Sequence, residues 1–465
     1  MDYNSERQLP KTEGAGVSNI GGEVLTVQKM TKLALFPETA NVNGEGHLSI
    51  GECDSVELAD RFGTPLYVFD EVTLLSQCAQ FVGEFTRRHA DTLVIYACKA
   101  FINRALARIL QRAGLGLDVV SGGELAIARS VGFPMDMVYF HGNNKSAEEL
   151  RVGLEVGIGR FVVDNFRELD LLNGLAGEAG TRQDILLRLS PGVDPHTHKH
   201  TTTGILDSKF GFAIATGQAE QAVGQAISAP NLNLVGLHMH LGSPIYEMEP
   251  YQAGIKVALT LAAGLRDQFA FQMREFSPGG GFAIQYTGDA PAPSIAAYAE
   301  TIVSSMKEES QARGLPLPRL VVEPGRSIVG KAGVALYSVG ATKEIPGVRK
   351  FVSVDGGMAD NIRPAIYGSR YEAILANRVD EGREPVTIAG KFCESGDILV
   401  RDVMLPKVKA GDIVAIPASG AYCLAMASNY NAALRPPIVL VREGEAKLVR
   451  RRETYDDLMR CDVDE

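Results

Sequence analysis

From Pro65 to Glu323 the chain alternates short apolar runs with longer stretches of helical period. Leu93–Ala97 precedes Arg104–Arg112, Gly116–Val120 precedes Gly123–Arg129, and Met137–Phe140 precedes Ser146–Val156. Arg160–Val163 precedes Phe166–Ala176, and Ile185–Leu189 follows. Leu232–His240 precedes Tyr251–Gln268, Glu275–Ser277 precedes a loop and a helix near Ser294–Ala312, and Leu320–Glu323 ends the series. Strand-then-helix repetition predicts a parallel sheet with right-handed crossovers. About eight such units fit a closed (β/α)8, TIM-like barrel better than an open sheet.

After Gly330 the helical rhythm stops. Val334–Val339, Lys350–Val354, Val386–Gly390, Ile413–Pro417 and Ile438–Val441 read as strands separated by Gly, Pro and Asp. They predict a C-terminal β domain of sandwich or barrel type. The expected division is a mobile tail over 1–32, strands over 33–63 that join the β domain, an α/β barrel over 64–330 and the β domain over 331–465.

Composition narrows the function. The 465 residues carry a net charge of −10, which argues against nucleic acid as a partner. No apolar run is long enough for a spanning helix, so no membrane is expected, and the polar start MDYNSERQLPKTEGAG lacks a secretory apolar region. The six cysteines (Cys53, Cys78, Cys98, Cys393, Cys423 and Cys461) form no CxxC pair. That pattern suits a reducing, cytoplasmic setting rather than a disulfide framework.

In a barrel of this kind chemistry collects where strands end. Lys99 ends the run VIYACK. It is either a lysine snorkelling to solvent or, if desolvated, a nucleophile toward a carbonyl. His238 and His240 share one face of their strand. They are open to three readings: metal ligands, a hydrogen-bonded pair, or one ring stacked on a flat cofactor. Gly242-Ser243 and Gly279-Gly280-Gly281 offer backbone N–H groups to an anion. Glu323-Pro324-Gly325-Arg326 places a carboxylate and a guanidinium across a tight turn. An amine, anion donors and an acid at one rim are what pyridoxal phosphate needs. His196, His198 and His200 have the spacing of a metal motif, but Pro, Lys and Thr surround them, and no metal is expected.

The ordered motifs YACKAF (96–101), GLDVVSGGEL (116–125), HGNNKS (141–146), RLSPGVDPHTHKHTTTG (188–204), GLHMHLGSP (236–244), PGGGF (278–282), EPGRSIVG (323–330), DGGMADNIRPAIYG (355–368), CESGD (393–397) and GAYCLAMASNYN (420–431) carry a resemblance. The chain resembles the fold type III, group IV pyridoxal-phosphate-dependent decarboxylases, and among them the diaminopimelate-specific branch, over roughly Phe36 to Pro437. The resemblance implies an alanine-racemase-like barrel with a β domain. It implies that Lys99 carries the cofactor, that His240 stacks on its ring, and that Glu323 pairs with its ring nitrogen. Ser243, Gly280, Gly281, Pro324, Gly325 and Arg326 would surround its phosphate, and Tyr422 would close the pocket. Arg326, Arg363, Tyr367, Glu394 and Tyr422 are similar to substrate-binding residues, with the arginines meeting a distal carboxylate. Cys393, with Glu394, is similar to a catalytic pair lent across a two-fold homodimer interface. The implied reaction takes meso-diaminopimelate to L-lysine and carbon dioxide. Relatives acting on ornithine or arginine typically carry Asp directly after the active-site Cys, where this chain has Glu394. Those amino acids, carboxynorspermidine, a racemase and an inactive regulatory homologue are the alternatives.

Overall fold

The computed structural model describes residues 33–194, 203–205, 207–379, 382 and 384–463. The expected tail over 1–32 and the His196, His198, His200 stretch lie outside the described residues.

Eight parallel strands close into a barrel: Thr92–Ala97, Gly116–Val119, Val138–Phe140, Arg160–Val163, Gln183–Ser190, Leu232–Met239, Glu275–Gly279 and Arg319–Val322. Closure comes from Leu320–Val322 pairing in parallel with Thr92–Val94. Several of the helices that follow start on side-chain caps, which helps fix where they begin. Asn103 accepts from the Leu106 N–H, Ser121 from Glu124 and Asn165 from Glu168. Ser146 and Glu149 form a reciprocal capping box. The outer faces of strands and inner faces of helices make one large apolar core. A smaller cluster of Ile95, Tyr139, Val162, Leu186, Val235 and Val321 fills the lumen.

That lumen cluster fixes which side chains reach the mouth. Side chains alternate along a strand, so the residue two positions on from a lumen residue points the same way. His141 stands two beyond Tyr139, Asp164 two beyond Val162, Arg188 two beyond Leu186 and Glu323 two beyond Val321. All four are buried. Apolar packing below thus positions a ring of polar groups above.

The second, sheet-rich domain is built around the long strand Gly333–Ile345. Its sheet runs Ile398–Leu405, Glu384–Ala389, Arg349–Val354, Gly333–Ile345, Leu66–Asp70, Ile438–Arg442, Glu445–Arg450. Ile413–Ile416 also pairs with Gly333–Ile345. Residues 33–63 form their own three-stranded antiparallel sheet beside the larger ladder. They attach to the domain through the Leu48 N–H on the Ala376 carbonyl (2.7 Å), and by packing Leu48 and Ile50 against Ile374, Val439 and Val441. Leu66–Asp70, inside the 64–330 span, pairs antiparallel with Gly333–Leu336 and parallel with Ile438–Val441. Its side chains explain this: Leu66 and Val68 face the second domain's core, while Tyr67 and Phe69 face the barrel's. Among the described residues no helix is long and apolar enough to cross a membrane.

Candidate active site

The C-terminal strand ends carry the groups that the sequence singles out. Lys99 lies in the single helical turn Cys98–Ala100 directly after Thr92–Ala97. Its Nζ donates to Asp118 Oδ2 at 2.8 Å, and its side chain is 38% exposed against 0% for Asp118. Burial works against the ammonium, but the charge of Asp118, followed by Tyr422 and Glu323, outweighs it and raises the pKa. Lys99 therefore rests as a cation held by a buried carboxylate.

Glu323 is buried, with His238 Nε2 at 3.1 Å and the Ser277 hydroxyl donating at 2.8 Å. Burial opposes its ionisation, but the imidazoles of His238 and His141 and the hydrogen bond from His238 lower its pKa to about 2. Glu323 is a carboxylate, so His238 donates from Nε2. His141 Nε2 stands 3.7 Å from both Glu323 and Asp118, and the two imidazoles meet edge to face at 4.9 Å. His240 accepts the Gly280 N–H at Nδ1 (3.2 Å), which puts its proton on Nε2. Burial pushes its pKa well below the usual value and keeps it neutral.

Three backbone segments converge beside these groups because glycines let them. A Cβ at Gly280 would stand 2.2 Å from the Glu323 carbonyl oxygen, and one at Gly281 2.6 Å from that of Gly242. One at Gly325 would stand 3.0 Å from Ala97 Cβ. Pro324 ties the turn back to the first barrel strand, its carbonyl accepting the Ala97 N–H at 3.0 Å. Arg326 donates to the Ser243 hydroxyl (3.2 Å) and the Tyr286 hydroxyl (2.6 Å), and lies 4.8 Å from the Tyr422 ring centre. Tyr422 takes a left-handed conformation (φ 63°), and its N–H donates to the Ala100 carbonyl at 2.7 Å, which draws this loop of the second domain over the lysine turn.

A cavity of about 490 Å³ opens here, lined by Ser243, Tyr286, Arg326, Arg363, Tyr367 and Tyr422 among others. Arg363 is buried and donates to the Tyr371 hydroxyl. Burial disfavours its charge, while Tyr286 and Tyr371 raise its pKa, so it remains a cation. Among the described residues neither Arg326 nor Arg363 forms an ion pair with a carboxylate; their partners are phenol and serine oxygens.

Cys393 and Glu394 are not brought to this cavity. Cys393 is exposed, donates its backbone N–H to Asn431 Oδ1 and lines a separate cleft with Lys391, Asn431 and Arg452. Glu394 is exposed on the same turn. Conversely, Asp118, His141, Arg188, Tyr286 and Tyr371 surround the site and were not singled out from the sequence. For His141 and Arg188 the two-residue alternation from the lumen would have been the signal.

The residues fit pyridoxal phosphate. They supply an amine (Lys99), a buried carboxylate (Glu323), a neutral ring (His240) and anion donors (Ser243, Arg326 and the glycine N–H groups). Asp118 Oδ1, His141 Nε2, His238 Nδ1 and Arg326 Nε are buried with no hydrogen-bond partner among the described residues, as expected of a site built to receive a polar ligand. A barrel mouth with this donor set, roofed by a β domain, defines a pyridoxal-phosphate enzyme of the barrel type.

The comparisons narrow that class. Residues 73–330 match the family model of the pyridoxal-dependent decarboxylases, pyridoxal-binding domain. The diaminopimelate decarboxylase of Bacillus subtilis (strain 168) is 46% identical over 426 residues, covering 91% of this chain and 97% of that protein. The crystal structure of diaminopimelate decarboxylase from M. jannaschii in complex with L-lysine has a TM-score of 0.87 at 37% identity, covering 92% of this chain and 98% of that one. The Helicobacter pylori enzyme, also complexed with L-lysine, has a TM-score of 0.80 at 28% identity, covering 87% and 98%. The chain belongs to the pyridoxal-dependent decarboxylase family.

Proposed function

We propose that this protein decarboxylates meso-2,6-diaminopimelate at its D centre, giving L-lysine and carbon dioxide, with pyridoxal phosphate as cofactor. The observation that carries the substrate choice is the pair of guanidiniums, Arg326 and Arg363, turned into the cavity with no carboxylate partner among the described residues. Such a pair calls for an anionic group distal to the reacting amine. Diaminopimelate has one; ornithine and arginine place a cation there, at a cost of several kcal/mol, of order 2–5.

Bound pyridoxal phosphate supplies an electron sink for the pair left at Cα when the bond to the carboxylate breaks. The chain's residues prepare for this. Lys99 would hold the cofactor, and Asp118 accepts the hydrogen bond of its ammonium when the lysine is free. Glu323, kept ionised by His238 and Ser277, gives the ring nitrogen an anionic partner. His240 would support the ring face, and Ser243 with the backbone N–H groups of Gly280, Gly281 and the Gly325-Arg326 turn would take the phosphate, which leaves the Arg326 guanidinium for the substrate. Arg363, Arg326 and Tyr367 orient the distal carboxylate, and Tyr422 shields the site from water. The proton that replaces the carboxylate comes from Lys99 Nζ or Cys393 Sγ.

Cys393 and Glu394 act in the neighbouring copy of a homodimer with shared sites. Their exposure away from their own chain's cavity supports this. The reaction belongs in the cytoplasm, a setting supported by six free cysteines.

The test is carbon dioxide release by purified holoenzyme with meso-diaminopimelate, ornithine, arginine and lysine side by side. Lysine formed from diaminopimelate alone is the expected result. Turnover of ornithine or arginine would overturn the assignment of the arginines. No turnover with cofactor bound would favour an inactive regulator.

A further inference from the structure

The two cavity arginines are held by a pair of tyrosines that the reaction itself does not call for. Arg326 Nη1 donates to the Tyr286 hydroxyl at 2.6 Å, and Arg363 Nη1 donates to the Tyr371 hydroxyl. The face of Tyr286 also lies under Arg363, whose guanidinium carbon is 4.8 Å from the ring centre. Tyr286 and Tyr371 meet edge to face at 5.4 Å and 83°, and the Tyr371 hydroxyl is 3.6 Å from Cys423 Sγ. Tyr286 thus touches both guanidiniums, one through its oxygen and one through its face. The separation of the two cations is set by a single rigid ring.

The choice of phenol over carboxylate has a physical consequence. An Asp or Glu in either place would neutralise its arginine and compete with an incoming anion. A phenol oxygen accepts one N–H, fixes the plane of the guanidinium by hydrogen bond and ring contact, and leaves the positive charge for the ligand. Burial raises the Tyr371 phenol well above its usual pKa, so Tyr371 stays neutral beside Arg363.

We infer that Tyr286 and Tyr371 are positioning residues that set substrate specificity by holding Arg326 and Arg363 as a charged, pre-spaced pair for the distal carboxylate. This rests on the reading that those arginines bind that carboxylate. Phenylalanine at either position keeps the ring contacts and removes only the oxygen.

The test compares Tyr371→Phe, Tyr286→Phe and Arg363→Gln holoenzymes with wild type. L-lysine and 1,5-diaminopentane serve as competitive inhibitors; they differ only in the carboxylate. Loss of the oxygen should raise KM for meso-diaminopimelate and Ki for L-lysine about ten-fold, the scale of one hydrogen bond to a charged group. It should leave kcat, cofactor absorbance and Ki for 1,5-diaminopentane within about two-fold. A merely structural role would move both inhibitors together and would overturn the inference. If Arg363→Gln leaves Ki for L-lysine unchanged, the distal-carboxylate reading falls, and the inference with it. If Arg363→Gln raises it and both phenylalanine variants do not, only the bracing role falls.

Discussion

Gly280→Ala tests whether the glycine loop is set by close approach rather than by flexibility. The added methyl would sit 2.2 Å from the Glu323 carbonyl oxygen and 3.2 Å from its carbon. Both neighbours are backbone at a strand end, so no side chain can swing aside. Restoring contact distance requires the 279–281 loop and the Glu323 turn to part by about 1 Å. The hydrogen bond from Glu323 N–H to the Gly279 carbonyl is already 3.2 Å long, and so is that from Gly280 N–H to His240 Nδ1. Neither survives such a shift. Overpacking costs about 1–3 kcal/mol and each of the two lost hydrogen bonds about 0.5–1.5, so the combined effect is about 2–6 kcal/mol. It divides between folding stability and the anion site that the loop shapes. Urea unfolding of the cofactor-free protein gives the first share, and titration with pyridoxal phosphate gives the second. Gly288→Ala is the matched control: its Cβ would meet nothing within 4 Å. It should stay within about 0.5 kcal/mol of wild type. Gly280→Ala protein with wild-type stability and cofactor affinity within two-fold would refute the close-approach argument.

Three other consequences are measurable. Phe282 packs against Phe81, Tyr298, Phe85 and Tyr251 with ring centres 5.1–6.1 Å apart, so Phe282→Ala should lose about 3–5 kcal/mol in denaturant unfolding. Glu323 has a folded-state pKa lowered to about 2, against about 4.3 when unfolded. The stability it contributes is complete above the unfolded value and is lost as pH falls through the folded one. The difference between wild type and Glu323→Gln should therefore shrink from about pH 5 to about pH 2, and a difference that grows on acidification would contradict the sign. Inactive Lys99→Ala and inactive Cys393→Ala subunits, mixed under conditions of proven exchange, should recover partial decarboxylation, because one hybrid site combines an intact lysine with an intact cysteine. No recovery would remove Cys393 from the neighbour's site.

The barrel was legible because strand and helix periods differ, and eight alternations leave few other topologies. The strand Leu66–Asp70 was not, although its five residues are all buried. A strand buried on both faces reads as one apolar run, and only the two cores it meets show which sheet it completes. The same property hid His141 and Arg188. Their polarity was visible, but their direction depends on which neighbours, Tyr139 and Leu186, fill the lumen. Residues at rim turns were easier. Lys99, Ser243, Glu323 and Arg326 end apolar runs or follow glycines, where a polar side chain has few structural reasons to be.

The arginines show a different limit. Arg326 and Arg363 stand out in the sequence as charges, but a lone charge is most often solvated or paired. What makes them a site is that folding buries both, gives each a tyrosine oxygen, and brings no carboxylate of the described residues to either. Tyr286 and Tyr371 lie 40 residues before Arg326 and 8 after Arg363. No local spacing links such a pair. The charges arise locally, whereas their freedom to bind an anion is a tertiary property, and it is there that discrimination between a dicarboxylate and a diamine precursor must be sought.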